Sequence, residues 1–199
     1  MTPRRHAAPL AIALTLTLGL LNACATRPSL RVPDFAAHQR LLGSLANWDV
    51  AGKIGLRQGD RGSSAQLHWR QREQHYELSL SGPLGMGAVS IQGDRQGVTL
   101  RNNKGEFRAD NPETLVHEMT GWQIPVSDLR FWARGMPSPD LDIDRQTIDQ
   151  GRLALLAQGG WTITYVDYAA VGRYSLPSRI QLSRPEAQIT LLLKNWRID

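Results

Sequence analysis

Apolar and polar residues alternate with a period of two along most of this chain, and the alternation stops at short glycine-rich or charged breaks. Val50, Gly52, Ile54 and Leu56 interleave with Asp49, Ala51, Lys53 and Arg57. Beyond Gly59-Asp60-Arg61-Gly62, Ala65, Leu67 and Trp69 interleave with Gln66, His68 and Arg70, and then Tyr76, Leu78 and Leu80 with Glu77, Ser79 and Ser81. Neighbouring side chains of a strand point to opposite faces, so this pattern predicts strands with one dry and one wet face. Breaks this short connect neighbouring strands, which makes an antiparallel meander. The pattern runs on through residues 89–91, 98–100 and Phe107, and resumes at 152–157, 161–168, 178–183 and 188–196. In the last of these, Ile189, Leu191 and Leu193 oppose Thr190, Leu192 and Lys194.

Three segments break the period. Asp34 is placed as an N-cap for a helix over residues 35–45, with Phe35, Leu41, Leu42 and Leu45 near one face. Asn111-Pro112-Glu113 supplies a cap, a first-turn proline and a first-turn acid for a second helix carrying Leu115, Val116 and Met119. Pro125-Val126-Ser127-Asp128 opens a third, carrying Leu129, Trp132 and Ala133 and stopping at Gly135-Met136-Pro137. Asp140, Asp142, Asp144 and Asp149 read as a charged loop. Many strands interrupted by a few helices predict a mainly β fold with α, a strongly curved antiparallel sheet or incomplete barrel with helices over its mouth.

The N-terminus is of another kind. Arg4 and Arg5 precede the apolar run LAIALTLTLGLL, and Leu21-Asn22-Ala23-Cys24 closes it, with a small residue before the only cysteine. A spanning helix needs about 20 apolar residues, and this run is shorter, with Pro9 before it and Asn22 at its end. It reads as a secretory signal over residues 1–23. The junction resembles the bacterial lipobox, with Asn22 where Ala or Ser is more usual. That resemblance implies a diacylglycerol on the Cys24 sulfur, with a third acyl chain on its freed amine, and Ala25-Thr26 in place of an aspartate implies sorting to the outer membrane. Removing residues 1–23 from 199 leaves 176 residues, which suits a polar tether over 24–33 and one domain over 34–199. With no second cysteine the domain has no internal disulfide. The formal charge of +5 loses two arginines with the signal, and the dispersed remainder does not suit nucleic acid.

Three stretches resemble the LolB family, the outer-membrane receptors that accept lipoproteins from a periplasmic carrier. They are Gly82-Pro83-Leu84-Gly85; Gly121-Trp122-Gln123-Ile124-Pro125 running into Leu129-Arg130-Phe131-Trp132 and Gly135-Met136-Pro137; and Leu193-Lys194-Asn195-Trp196. The resemblance spans nearly all of residues 24–199. It implies an incomplete barrel with a helical lid around an apolar cavity for cargo acyl chains, LolA as the carrier partner, acylated lipoproteins as cargo, outer-membrane lipid as the destination, and no requirement beyond a monomer. Candidates for the cavity lining are Val50, Ile54, Leu67, Trp69, Leu78, Leu80, Leu100, Ile163, Ile189 and Leu191, with Leu129 and Trp132 under the lid; each equally suits an ordinary core.

Leu84 lies in Ser81-Gly82-Pro83-Leu84-Gly85-Met86-Gly87, where glycine and proline favour a tight turn. A leucine left exposed there forfeits roughly 1.5–3 kcal/mol, which is recovered if Pro83, Leu84, Gly85 and Met86 enter lipid. In the family, the matching loop leucine is implicated in delivering cargo to the membrane.

Catalytic and metal motifs are not found in the sequence. His38, His68, His75 and His117 are scattered outside any HExxH spacing, and no glycine loop suits a phosphate. His68 and His75 can meet across a hairpin, and Arg130, Arg134, Arg145, Arg152, Arg173 and Arg179 can border the cavity mouth. DLDIDRQTIDQG lacks the Gly and Glu of a calcium loop. The expectation is a non-enzyme without cofactor. The rival readings are a lipid-anchored lipocalin-like module for a small ligand and a structural lipoprotein.

Overall fold

The computed structural model describes residues 34–82 and 87–198. The first helix, α1 (Phe35–Gly43), starts at its expected cap: the Asp34 carboxylate accepts from the amides of Ala36 and Ala37 at 3.1 and 3.2 Å, satisfying two N–H groups that a helix start leaves free. It ends at Gly43, two residues early, where the Ser44 amide and hydroxyl both turn back to the Leu41 carbonyl.

Six strands follow as a meander: β1 (Asn47–Gln58), β2 (Arg61–Arg72), β3 (His75–Ser81), β4 (Val89–Gly93), β5 (Val98–Asn102) and β6 (Gly105–Ala109). Then come α2 (Pro112–Thr120) and α3 (Val126–Trp132), and five more strands: β7 (Ile143–Asp149), β8 (Arg152–Gln158), β9 (Trp161–Val171), β10 (Tyr174–Arg184) and β11 (Ala187–Ile198). Asn111 caps α2 through its side-chain oxygen on the Thr114 amide at 2.8 Å, and Gly121 ends it in the left-handed conformation that glycine tolerates.

All eleven strands form one antiparallel sheet in the order β6-β5-β4-β3-β2-β1-β11-β10-β9-β8-β7. The last strand pairs with the first, Trp48 facing Ile198 and Ile54 facing Leu191. Among the described residues β6 and β7 do not pair with each other, so the barrel stays open. The chain leaves the sheet at β6 and returns at β7 on the opposite edge, and α2 and α3 make that crossing over the concave side. Leu115, Val116, Val126, Leu129 and Trp132 join the sheet's apolar cluster, which places the helices as a lid.

Curvature is built in at bulges. The register of β1 on β11 shifts between Ala51 and Gly52, and a Cβ on Gly52 would lie 1.8 Å from the Leu192 carbonyl oxygen; only glycine allows this approach. Pro177 sits inside β10 beside another register shift, where a missing N–H costs no ladder bond. Gly93 pairs with Tyr76 and lies under its ring, which fills the space of a side chain.

Two expectations need correction. Residues 143–149 are a strand, not part of a charged loop: β7 pairs with β8 at the sheet edge, and all seven of its residues are exposed. With neither face buried there is no alternation to read, and its charges suit an unpaired edge. His68 and His75 do not face each other, because His68 pairs with Ser79 and His75 with Arg72.

Candidate functional site

Inward-facing residues of the sheet and buried residues of the helices form one apolar cluster. Val50, Ile54, Leu67, Trp69, Leu78, Leu100, Ile163, Ile189 and Leu191 all belong to it, with Leu129 and Trp132 of α3, and Leu80 packs against its margin. The lid adds Leu115 and Val116 from α2, then Ile124 and Val126 before and within α3. Residues not among the lining candidates complete it: Trp48, Leu153, Leu156, Leu176, Ile180 and Leu182 are buried to the same degree.

The interior is closed. An empty hollow large enough for water would leave accessible surface on its walls, yet Val50, Leu100, Trp132, Leu156 and Ile163 have none. The sequence leads to the expectation of an apolar cavity; around these five residues the structure has instead the protein's own side chains, the lid's among them, and no hollow of water size.

Polar contacts fix the lid at a few points. Gln158 on β8, fully buried, accepts from Trp132 Nε1 and from the Ser138 amide, both at 2.9 Å, and its amide donates to the carbonyls of Ser138 and Leu141 at 2.8 Å. Arg134 donates from Nε to the Arg130 carbonyl and from Nη1 to those of Leu42 and Leu45. It thereby ties the end of α3 to carbonyls at and just beyond the end of α1. Burial, with Arg130 nearby, pulls the Arg134 guanidinium down to about 10, still charged at neutral pH. α1 is held from the other side, with His38 Nε2 3.1 Å from the Ser175 carbonyl and Gln39 donating to that of Gly135 at 2.9 Å.

The six arginines expected at a common mouth do not share one. Only Arg130 and Arg134 meet, lining a cleft of about 350 Å³ between α3, the end of α1 and the β2–β3 turn, with Trp48, Gln71 and Phe131. Arg152 lies 4.8 Å over the Tyr168 ring and donates to Ser175 Oγ. Arg173 lies over Tyr174, Arg145 is on the edge strand β7 and Arg179 on β10. At the other end of the sheet the 121–124 segment is clasped by Arg61 over Trp122 at 4.8 Å and by Arg184 on Gln123. Among the described residues no three His, Cys, Asp or Glu side chains converge as a metal site, and no helix is long and apolar enough to cross a membrane. Cys24, the 1–23 signal, the 24–33 tether and the Pro83, Leu84, Gly85, Met86 stretch lie outside the described residues.

Comparison with known proteins bears on what this interior is for. The family model "Outer membrane lipoprotein LolB" matches residues 46–196. The proteins named Outer-membrane lipoprotein LolB from Pseudomonas putida (strain GB-1) and Stutzerimonas stutzeri (strain A1501) are 39% and 40% identical over 194 residues. The first alignment covers 92% of this chain and 94% of the relative; the second covers 94% of each. Among solved structures, a Vibrio parahaemolyticus domain described as an outer membrane lipoprotein-sorting protein shares the fold at a TM-score of 0.56 and 9% identity. That match covers 83% of this chain and 91% of the other. A DUF1329 family protein from Desulfovibrio piger shares it at 0.52 and 6%, covering 83% and 90%.

Proposed function

This chain belongs to the LolB family of outer membrane lipoproteins, and on that premise we propose that it is a lipoprotein receptor of the outer membrane. It takes the acyl chains of a cargo lipoprotein from a soluble periplasmic carrier of the LolA type and passes them into the inner leaflet. The observation that carries this reading is the apolar interior roofed by α2 and α3, a segment joined to the sheet through its two open edges.

Energetics decide whether a filled interior can serve. A saturated chain of about 15 methylenes withdrawn from water gains roughly 12 kcal/mol, and each lid side chain lifted fully into water forfeits about 1.5–3 kcal/mol. One acyl chain thus offsets the exposure of several of Leu115, Val116, Ile124, Val126, Leu129 and Trp132. The real cost is lower, because displaced lid residues repack on the cargo. Cargo acceptance is an exchange of the lid's apolar side chains for acyl chains, and the walls are Val50, Ile54, Leu67, Trp69, Leu78, Leu80, Leu100, Ile163, Ile189 and Leu191.

The remaining parts rest on the resemblance to the lipobox and to the family. Residues 1–23 are removed, Cys24 is acylated, and 24–33 tethers one domain, 34–199, to the outer membrane facing the periplasm. Leu84, with Met86 beside it, enters the bilayer when cargo is released. The protein acts as a monomer by binding rather than catalysis, and transfer runs down a gradient of affinity ending in the bilayer. The test is a pull-down in which the Cys24→Ala chain is mixed with carrier loaded with labelled lipoprotein. Label moving onto the chain is expected; label staying on the carrier would refute the receptor reading.

A further inference from the structure

Among the described residues, eight buried side-chain polar atoms have no hydrogen-bond partner; three belong to residues that line the cleft under α3, and a fourth to a ring packed behind it. They are Trp48 Nε1, Trp69 Nε1, Gln71 Oε1 and Arg130 Nε. Trp48, Gln71 and Arg130 line that cleft together. Trp69 stands behind, its ring 5.0 Å from that of Trp48. The third indole of the group, Trp196, is 5.2 Å from Trp48 and is satisfied, donating to the Pro177 carbonyl at 3.2 Å. Trp48, Trp69 and Gln71 are each more than nine-tenths buried. Buried polar groups in native proteins nearly always find partners, and an unpaired cluster of them calls for an explanation such as a bound polar group.

The kinds of atom left over identify the ligand chemistry. Three are N–H donors and one is a carbonyl acceptor. We infer that Trp48, Trp69, Gln71 and Arg130 form a subsite for the polar linkage of the cargo lipid, the donors taking its ester and amide carbonyls and Gln71 taking its amide N–H. This rests on the receptor reading above. An N-acylated, diacylglyceryl cysteine has three acyl carbonyls and one amide N–H, the complement of the unpaired set. Its position also fits: Leu45 and Trp48 lead from the cleft directly into the apolar interior, so tails under the lid leave their linkage here.

A phosphate fits less well. It would call for paired free guanidiniums, but Arg134 has spent Nε and Nη1 on the carbonyls of Arg130, Leu42 and Leu45, and Glu73 adds a carboxylate to the lining. Neutral carbonyls meet the unpaired Arg130 Nε and two indoles without that conflict.

The test compares two probes, a tripalmitoylated cysteinyl peptide with its two glyceryl esters and the same peptide with two ether links in their place. Each is partitioned at equilibrium between the full chain carrying Cys24→Ala and phosphatidylcholine vesicles, separated by flotation. The expected result is about a tenfold preference of the protein for the diester, and a marked shrinking of that preference in Trp48→Phe and in Arg130→Gln. Equal partition of the two probes into the chain carrying Cys24→Ala alone would overturn the subsite while leaving the receptor intact. So would loss of diester binding on adding soluble glycerol 3-phosphate as competitor, which would mark a phosphate site. Failure of both probes to bind would take the receptor reading down as well. The chain carrying Cys24→Ala alone supplies the decisive comparison, so a variant that folds poorly does not obscure it.

Discussion

Trp132 Nε1 donates to Gln158 Oε1 at 2.9 Å, and both side chains are fully buried. The bond joins α3 to β8 across the lid boundary, and the same glutamine holds Ser138 and Leu141. Its amide thus uses its two-acceptor, two-donor capacity on one lid segment. Apolar burial holds the lid without direction; Gln158 gives it a position.

Replacing Gln158 by Leu strands the Trp132 N–H, the Ser138 amide and two carbonyls. At about 1–3 kcal/mol for each buried group left unpaired, partly relieved by lid movement, the loss is about 2–4 kcal/mol. Hydrogen exchange should speed up across residues 126–141 far more than in β1, β2 and β11. A uniform increase over the whole sheet would mean that Gln158 is general core and not a local latch.

Gly52→Ala is expected to cost about 3 kcal/mol or more, since its Cβ would meet the Leu192 backbone oxygen at 1.8 Å. Gly55→Ala, whose Cβ meets only Thr190 at 3.9 Å, should stay within about 1 kcal/mol of the unsubstituted chain. Urea unfolding of the two variants distinguishes a required bulge from a merely glycine-rich strand.

Acid should loosen the α1 clasp. Burial, with Arg152 adding to it, pulls His38 below its ordinary 6.5, so the folded state binds fewer protons than the unfolded chain. Its contribution is complete above about 6.5, is lost as pH falls below that value, and levels off beneath the folded-state value. Asp128, pushed up mainly by burial, acts in the opposite sense at lower pH, because protonation favours its folded form. Unfolding midpoints between pH 7.5 and 5.5 should fall for the unsubstituted chain and fall less for His38→Gln; parallel curves would acquit His38.

Leu84→Glu should fold normally and still take lipoprotein from the carrier, yet fail to release it into liposomes. Transfer of labelled cargo to vesicles measures this directly, and undiminished insertion would remove the loop from the mechanism.

The sequence made legible whatever one face buries. Leu67, Trp69, Tyr76 and Leu78 alternate because β2 and β3 have a dry side, and Asp34 and Asn111 cap helices with their own oxygens. β7 was invisible because all seven of its residues are exposed, and Pro177 concealed the start of β10 because a bulge, not the local sequence, tolerates it. For the candidate site, the apolar walls could be read but not their closure, which depends on how α2 and α3 fill the concavity. Gln158 and Gln71 carried no signal at all. A glutamine in a strand reads as wet, and only tertiary packing shows that these two are buried.

The central claim is that acyl chains replace the lid over the sheet's interior. A lipoprotein carrying a photoreactive diazirine midway along an acyl chain, transferred from the carrier and irradiated, tests it. Crosslinks are predicted on inward residues such as Leu100, Ile163 and Leu191, with few on exposed β7 residues such as Ile143 and Ile148. Crosslinks confined to the surface, with the interior unlabelled, would contradict the account.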